Sequence, residues 1–102
     1  MNFRRITKNS LYNRKAIFKS KICYCYYCLG SFLPSDIVLW CDDEQTALCP
    51  ICRIDAVLVP NPYFTISKRL LKRLRLRAFG YPPNFRREEH VIQLIIFDDS
   101  KD

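Results

Sequence analysis

Residues 25–28 read CYYC and residues 49–52 read CPIC, so the chain carries the pattern C-x2-C-x20-C-x2-C. Each pair can bend into a tight knuckle that aims two sulfurs at a shared point, and the spacing sits at the upper edge of the template for one tetrahedral zinc ion. One such pair would say little. Two of them predict that Cys25, Cys28, Cys49 and Cys52 hold a single structural Zn²⁺.

A chain of 102 residues forms at most one small domain and buries little apolar surface. A structural metal would supply the missing folding free energy. The six cysteines also admit a rival reading, because small secreted proteins often pair such a set into disulfides. Secretion needs a leader, and the basic start MNFRRITKNS is followed too late by apolar residues that are themselves the cysteine segment. Nor does any apolar run reach bilayer-spanning length, the longest clean one being residues 91–97. The expectation is therefore a cytoplasmic protein with reduced thiols and no membrane association, in which zinc outweighs disulfides.

Net charge is +7, and it is distributed in blocks. Residues 1–21 hold seven Lys/Arg and no acid, 22–67 hold five acids against Arg53, 68–87 hold eight Lys/Arg and no acid, and 88–102 hold five acids against Lys101. The blocks thus run +7, −4, +8 and −4. The plain interpretation is a solvated surface with basic flanks offsetting an anionic metal core.

Local patterns place the elements. Asn13 reads as the cap of a short helix over 14–18, its side-chain oxygen accepting from a first-turn amide. Pro34-Ser35-Asp36 reads as a second helix start running into Ile37, Val38, Leu39 and Trp40, with the indole in the core. A polar turn at 42–45 precedes a short strand, 46–48, that delivers Cys49. The apolar run 54–59 stops at Pro60-Asn61-Pro62. Thr65 reads as the cap of a third helix, 65–79, where Ile66, Leu70, Leu74 and Ala78 recur every four residues and Leu71 widens the stripe. Lys68, Arg69, Lys72, Arg73 and Arg75 fill its other side, Arg77 borders the stripe and Leu76 sits among the charges. Gly80-Tyr81-Pro82-Pro83 ends that helix, and 91–97 reads as a strand apolar on both faces, to be covered, paired or used in an oligomer contact.

These readings give a single α+β domain, zinc-ribbon-like with two knuckles, short helices and a few short strands. It comprises a metal core at 22–60, a basic amphipathic helix at 65–79 and a C-terminal strand with an acidic tail at 88–102. Cys23 and Cys41 fall outside the four-cysteine set and read as packing, or as exchange of Cys23 for Cys25, or as part of a second site with His90.

The run from Cys25 to Leu58 resembles a family of small bacterial cytoplasmic proteins with no assigned activity. Their hallmarks are a CxYCL knuckle, a PSEI-type helix start and the run TALCPxCGID. The matching residues are Cys25, Tyr27, Cys28 and Leu29, then Pro34, Ser35, Asp36, Ile37 and Trp40, then Gln45 to Pro50 with Cys52, Ile54 and Asp55. The likeness spans about 10–75 when the flanking helices are included, and it implies a four-cysteine zinc site and a cytoplasmic location. Arg53 stands where that family has glycine, so the second knuckle has no easy route to a positive φ there. The basic helix and the tail are peculiar to this chain.

Three function classes follow. A nucleic-acid module would use Lys68, Arg69, Lys72, Arg73, Arg75 and Arg77 on phosphates, helped by Arg4, Arg5, Arg14 and Lys15. Tyr24, Tyr26 and Tyr27 would stack on bases or shield the metal. A protein adaptor would dock an acidic partner on the helix, or a partner or second copy on 91–97. An enzyme is disfavoured, because four thiolates fill the zinc tetrahedron and neither CxxC pair sits in a βαβ setting.

Overall fold

The computed structural model describes residues 2–80. The strand expected over 91–97, the tail 88–102 and His90 lie outside the described residues. Chain order is α1 (Phe3–Thr7), a 3-10 turn (Lys8–Ser10), α2 (Arg14–Lys19), β1 (Cys23–Cys25), β2 (Ser31–Phe32), a 3-10 turn (Pro34–Asp36), β3 (Trp40–Cys41), β4 (Thr46–Ala47), β5 (Val57–Leu58) and α3 (Lys68–Phe79). It is thus a small mixed α/β arrangement of short elements.

Two antiparallel sheets form the framework. One has the order β2-β1-β5, with Cys23 opposite Phe32 and Cys25 opposite Val57. The other is the β3-β4 hairpin, with Trp40 opposite Ala47. Strands of two or three residues are marginal alone, and burial holds these in place. Ile17, Val57, Leu58, Leu74 and Thr46 are fully buried together with Cys23, Cys25 and Cys49.

Asn13 precedes α2 as expected, but its side chain makes no cap hydrogen bond. Instead the buried amide spans the sheets: Nδ2 donates to the Val57 carbonyl at 2.9 Å and Oδ1 accepts from the Ala47 amide at 3.1 Å. A buried strand-end amide without a partner costs about 1–3 kcal/mol, and satisfying two of them outweighs one exposed helix cap.

The helix expected to start at Pro34 lasts one 3-10 turn. Asp36 Oδ2 accepts from the Leu33 amide at 2.9 Å, after which Ile37 turns extended at ψ 120° and is buried. The β-branched Ile37 and Val38 then lead into β3, where sheet pairing replaces helix propensity. Trp40 is half-buried rather than a core residue; it packs on the core edge and stacks on Phe18.

The third helix begins three residues later than expected. Ser67 caps it, its side chain accepting from the Leu70 amide at 3.1 Å. Thr65 lies exposed just beyond a bridge between Asn61 and Phe64, in a turn that Asn61 Oδ1 fixes by accepting from the Tyr63 amide at 2.8 Å. Leu70, Leu71 and Leu74 are buried as the stripe requires, whereas Ala78 is exposed because the helix runs out past the core. Gly80 closes it at φ 74°, its amide donating to the Leu76 carbonyl. That left-handed conformation is where glycine carries no Cβ penalty.

Candidate metal centre

β1 delivers Cys25 and the loop after β4 delivers Cys49, and each begins a knuckle with the same hydrogen bonds. In the first, the Leu29 amide donates to the Cys25 carbonyl at 2.9 Å and the Cys25 amide donates to the Gly30 carbonyl at 3.0 Å. In the second, Arg53 donates to the Cys49 carbonyl at 2.8 Å and Cys49 donates to the Ile54 carbonyl at 3.0 Å. Closing these turns needs a left-handed residue directly after the second cysteine. Leu29 and Arg53 supply it, at φ 65° and 64°. Arg53 therefore adopts the positive φ that a side chain makes less easy than glycine would, at a cost of roughly 1–2 kcal/mol.

Amides around each knuckle point at sulfur. Cys25 Sγ accepts from the Tyr27 and Cys28 amides at 3.3 and 3.5 Å, and Cys49 Sγ accepts from the Ile51 amide at 3.3 Å. Such donors favour the thiolate. The two knuckles face each other, with Cys25 Sγ 3.6 Å from Cys52 Sγ and Cys28 Sγ 3.7 Å from Cys49 Sγ. All four sulfurs lie within 4.8 Å of one another.

A tetrahedron with metal–sulfur bonds of about 2.3 Å has sulfur–sulfur edges of about 3.8 Å. Two of the cluster's separations, 3.6 and 3.7 Å, match that edge, and with four soft donors and amides already directed at them these residues fit a tetrahedral metal ion. Cys25 and Cys49 are buried, and Cys28 and Cys52 are half-buried.

Burial and hydrogen bonding act oppositely on the thiols. For Cys25 desolvation dominates and its pKa is raised, although the Cys28 and Tyr27 amides pull it down. For Cys49 desolvation also raises the pKa, but the Cys52 and Ile51 amides and the neighbouring Cys28 and Cys52 side chains outweigh it and the net shift is downward. Cys52 is raised, chiefly by burial.

None of the six cysteines is paired in a disulfide. Cys23 is buried in β1 opposite Phe32 and outside the sulfur cluster, with burial and then Asp36 pushing its pKa up to about 11. Cys41 is half-buried at the end of β3, its Sγ 3.9 Å from Asp42 Oδ2.

α3 docks on the first knuckle. Phe79 meets Tyr27 edge-on at 4.8 Å and Tyr26 at 5.8 Å, and the Arg75 guanidinium lies 5.4 Å over the Tyr27 ring. Tyr26 and Tyr27 thus join the first knuckle to the helix. Of the six α3 cations, Lys68, Arg73 and Arg77 are exposed and Arg69, Lys72 and Arg75 half-buried, with Arg77 also lying 5.3 Å over Phe3. Among the described residues no helix is long and apolar enough to cross a membrane.

Two site-supporting residues carry no strong sequence signal. Asn13 ties the strand leading to Cys49 to the strand paired with β1, and Gly30 gives room to the opposite knuckle, since a Cβ there would stand 2.5 Å from Ile51 Cδ1. Comparison of the chain with family models, curated proteins and solved structures finds no match.

Proposed function

We propose that the chain is a non-enzymatic zinc module that binds nucleic acid through α3. One structural Zn²⁺ held by Cys25, Cys28, Cys49 and Cys52 would fix the knuckles, and Lys68, Arg69, Lys72, Arg73, Arg75 and Arg77 would contact phosphates. The observation that carries the reading is a twelve-residue helix with six cations and no acid, anchored to the first knuckle through Phe79 and Arg75. A cation on a buttressed helix meets phosphate with less ordering cost than one on a free chain. Four thiolates also suit iron, so metal analysis under reducing conditions comes first, with one zinc per chain expected. Binding to DNA and RNA should weaken steeply with salt and be lost when Lys68, Arg73 and Arg77 are changed to Glu.

A second reading, a zinc-held adaptor for an acidic protein partner, has one observation in its favour. Leu33, Val38 and Leu39 are exposed along a single segment, Val38 at 75%, as a protein contact would use. One zinc per chain without nucleic-acid binding would favour it.

A further inference from the structure

We propose that Arg14, Phe18 and Trp40 form a base-stacking platform for single-stranded nucleic acid, with Lys15 and Lys19 taking the adjoining phosphates. This rests on the nucleic-acid reading and deepens it, naming the strand state and a contact surface that shares no residue with α3.

The platform is assembled across two elements. Phe18 of α2 stacks on Trp40 of β3 with centroids 5.6 Å apart and planes 28° from parallel. The Arg14 guanidinium stands 4.6 Å from the Trp40 ring centre and 5.4 Å from that of Phe18. Arg14 is held there by its Nη1, which donates to the Glu44 carbonyl at 2.9 Å, and by its backbone amide, which donates to the Gln45 carbonyl at 3.0 Å. These carbonyls come from a turn in which Asp42, Asp43 and Glu44 all take positive φ, 53°, 57° and 64°. Asp tolerates that region singly, but three successive left-handed residues are strained. Strain of that kind concentrates where geometry serves a function.

Phe18 nevertheless remains 56% exposed. An open groove of about 450 Å³ runs beside it, lined by Arg14, Lys15, Phe18, Lys19 and Gln45. Stacked rings, a fixed guanidinium plane and two exposed lysines match what an unpaired strand offers, a π face on every base and a phosphate between each pair. A duplex hides those faces in its own stack. The exposed carboxylates of Asp43 and Glu44 border the site and confine a phosphate track to the α2 side. An acidic peptide would satisfy the lysines but leave the rings in water.

Trp40 is the only tryptophan in the chain, so its emission reads this site alone. The zinc-loaded full chain is titrated with an end-labelled oligothymidylate while Trp40 emission and label anisotropy are followed together. Both should saturate at one midpoint, with the emission quenched. Phe18→Ala should weaken binding about tenfold or more, since a stacked base contributes about 1–3 kcal/mol, and Phe18→Tyr should retain it. Lys15→Gln with Lys19→Gln should flatten the salt dependence by about 0.7 per lysine.

Binding with unchanged Trp40 emission and an indifferent Phe18→Ala would overturn the platform while leaving the nucleic-acid reading intact. Equal affinity for a duplex, or equal quenching by polyglutamate, would overturn it too. No binding to any nucleic acid would remove the broader reading itself.

Discussion

The two knuckles share a backbone and differ in everything around it. Both close with the same pair of hydrogen bonds and the same left-handed residue. Tyr27, the third residue of the first CxxC, lies half-buried against Phe79, while its counterpart Ile51 is 61% exposed. The first knuckle grows from a strand paired on both sides, and the second hangs from a hairpin end. Cys25 is accordingly pushed up by burial, whereas the donors around Cys49 pull it down. Identical local chemistry thus acquires different ionisation from its tertiary surroundings.

The largest test of this comparison removes one sulfur from each side. Cys25→Ser and Cys49→Ser should both abolish cooperative thermal unfolding and metal retention, because zinc sites of this type contribute about 10–16 kcal/mol against a total stability of about 5–15. A variant that melted normally with its metal in place would remove that residue from the ligand set.

Acidification tests the thiols together. Metal loading at neutral pH should release up to about four protons per chain, so affinity falls as pH falls. Loaded protein should therefore be destabilised by acid, as melting curves across pH would show.

Asn13→Ala breaks the link between the strand leading to Cys49 and the strand paired with β1. It leaves the Ala47 amide and the Val57 carbonyl without their side-chain partner, and should cost about 2–4 kcal/mol in denaturant unfolding. Asn13→Asp, which sets a carboxylate oxygen against the Val57 carbonyl in a buried site, should cost at least as much.

Gly30→Ala presses a methyl group against Ile51 Cδ1. Because Ile51 is exposed and its end can swing, the cost should be about 1 kcal/mol, and adding Ile51→Ala should return most of it. The smallest effect sharpens the symmetry itself. Arg53→Gly relieves a left-handed side chain but frees the unfolded backbone, so its net change should stay within about 1 kcal/mol. Leu29→Gly should cost more, since Leu29 also packs on the core.

The spacing of four cysteines made the sulfur cluster legible, because two CxxC turns are local objects whose sulfurs can converge wherever the chain lets them meet. The basic face of α3, its Leu70, Leu71 and Leu74 stripe and its glycine stop were legible for the same reason: helical periodicity and a left-handed cap are read within a few residues. What the chain could not show by itself were choices made by distant partners. Asn13 abandons a cap for two buried strand groups, Ile37 and Val38 leave a helix start for a hairpin, and Trp40 stops at the core edge to meet Phe18. Each depends on which unsatisfied amide or ring arrives from another element. Only packing in three dimensions brings those groups together, and there the free energy of a buried unpaired polar group exceeds local preference.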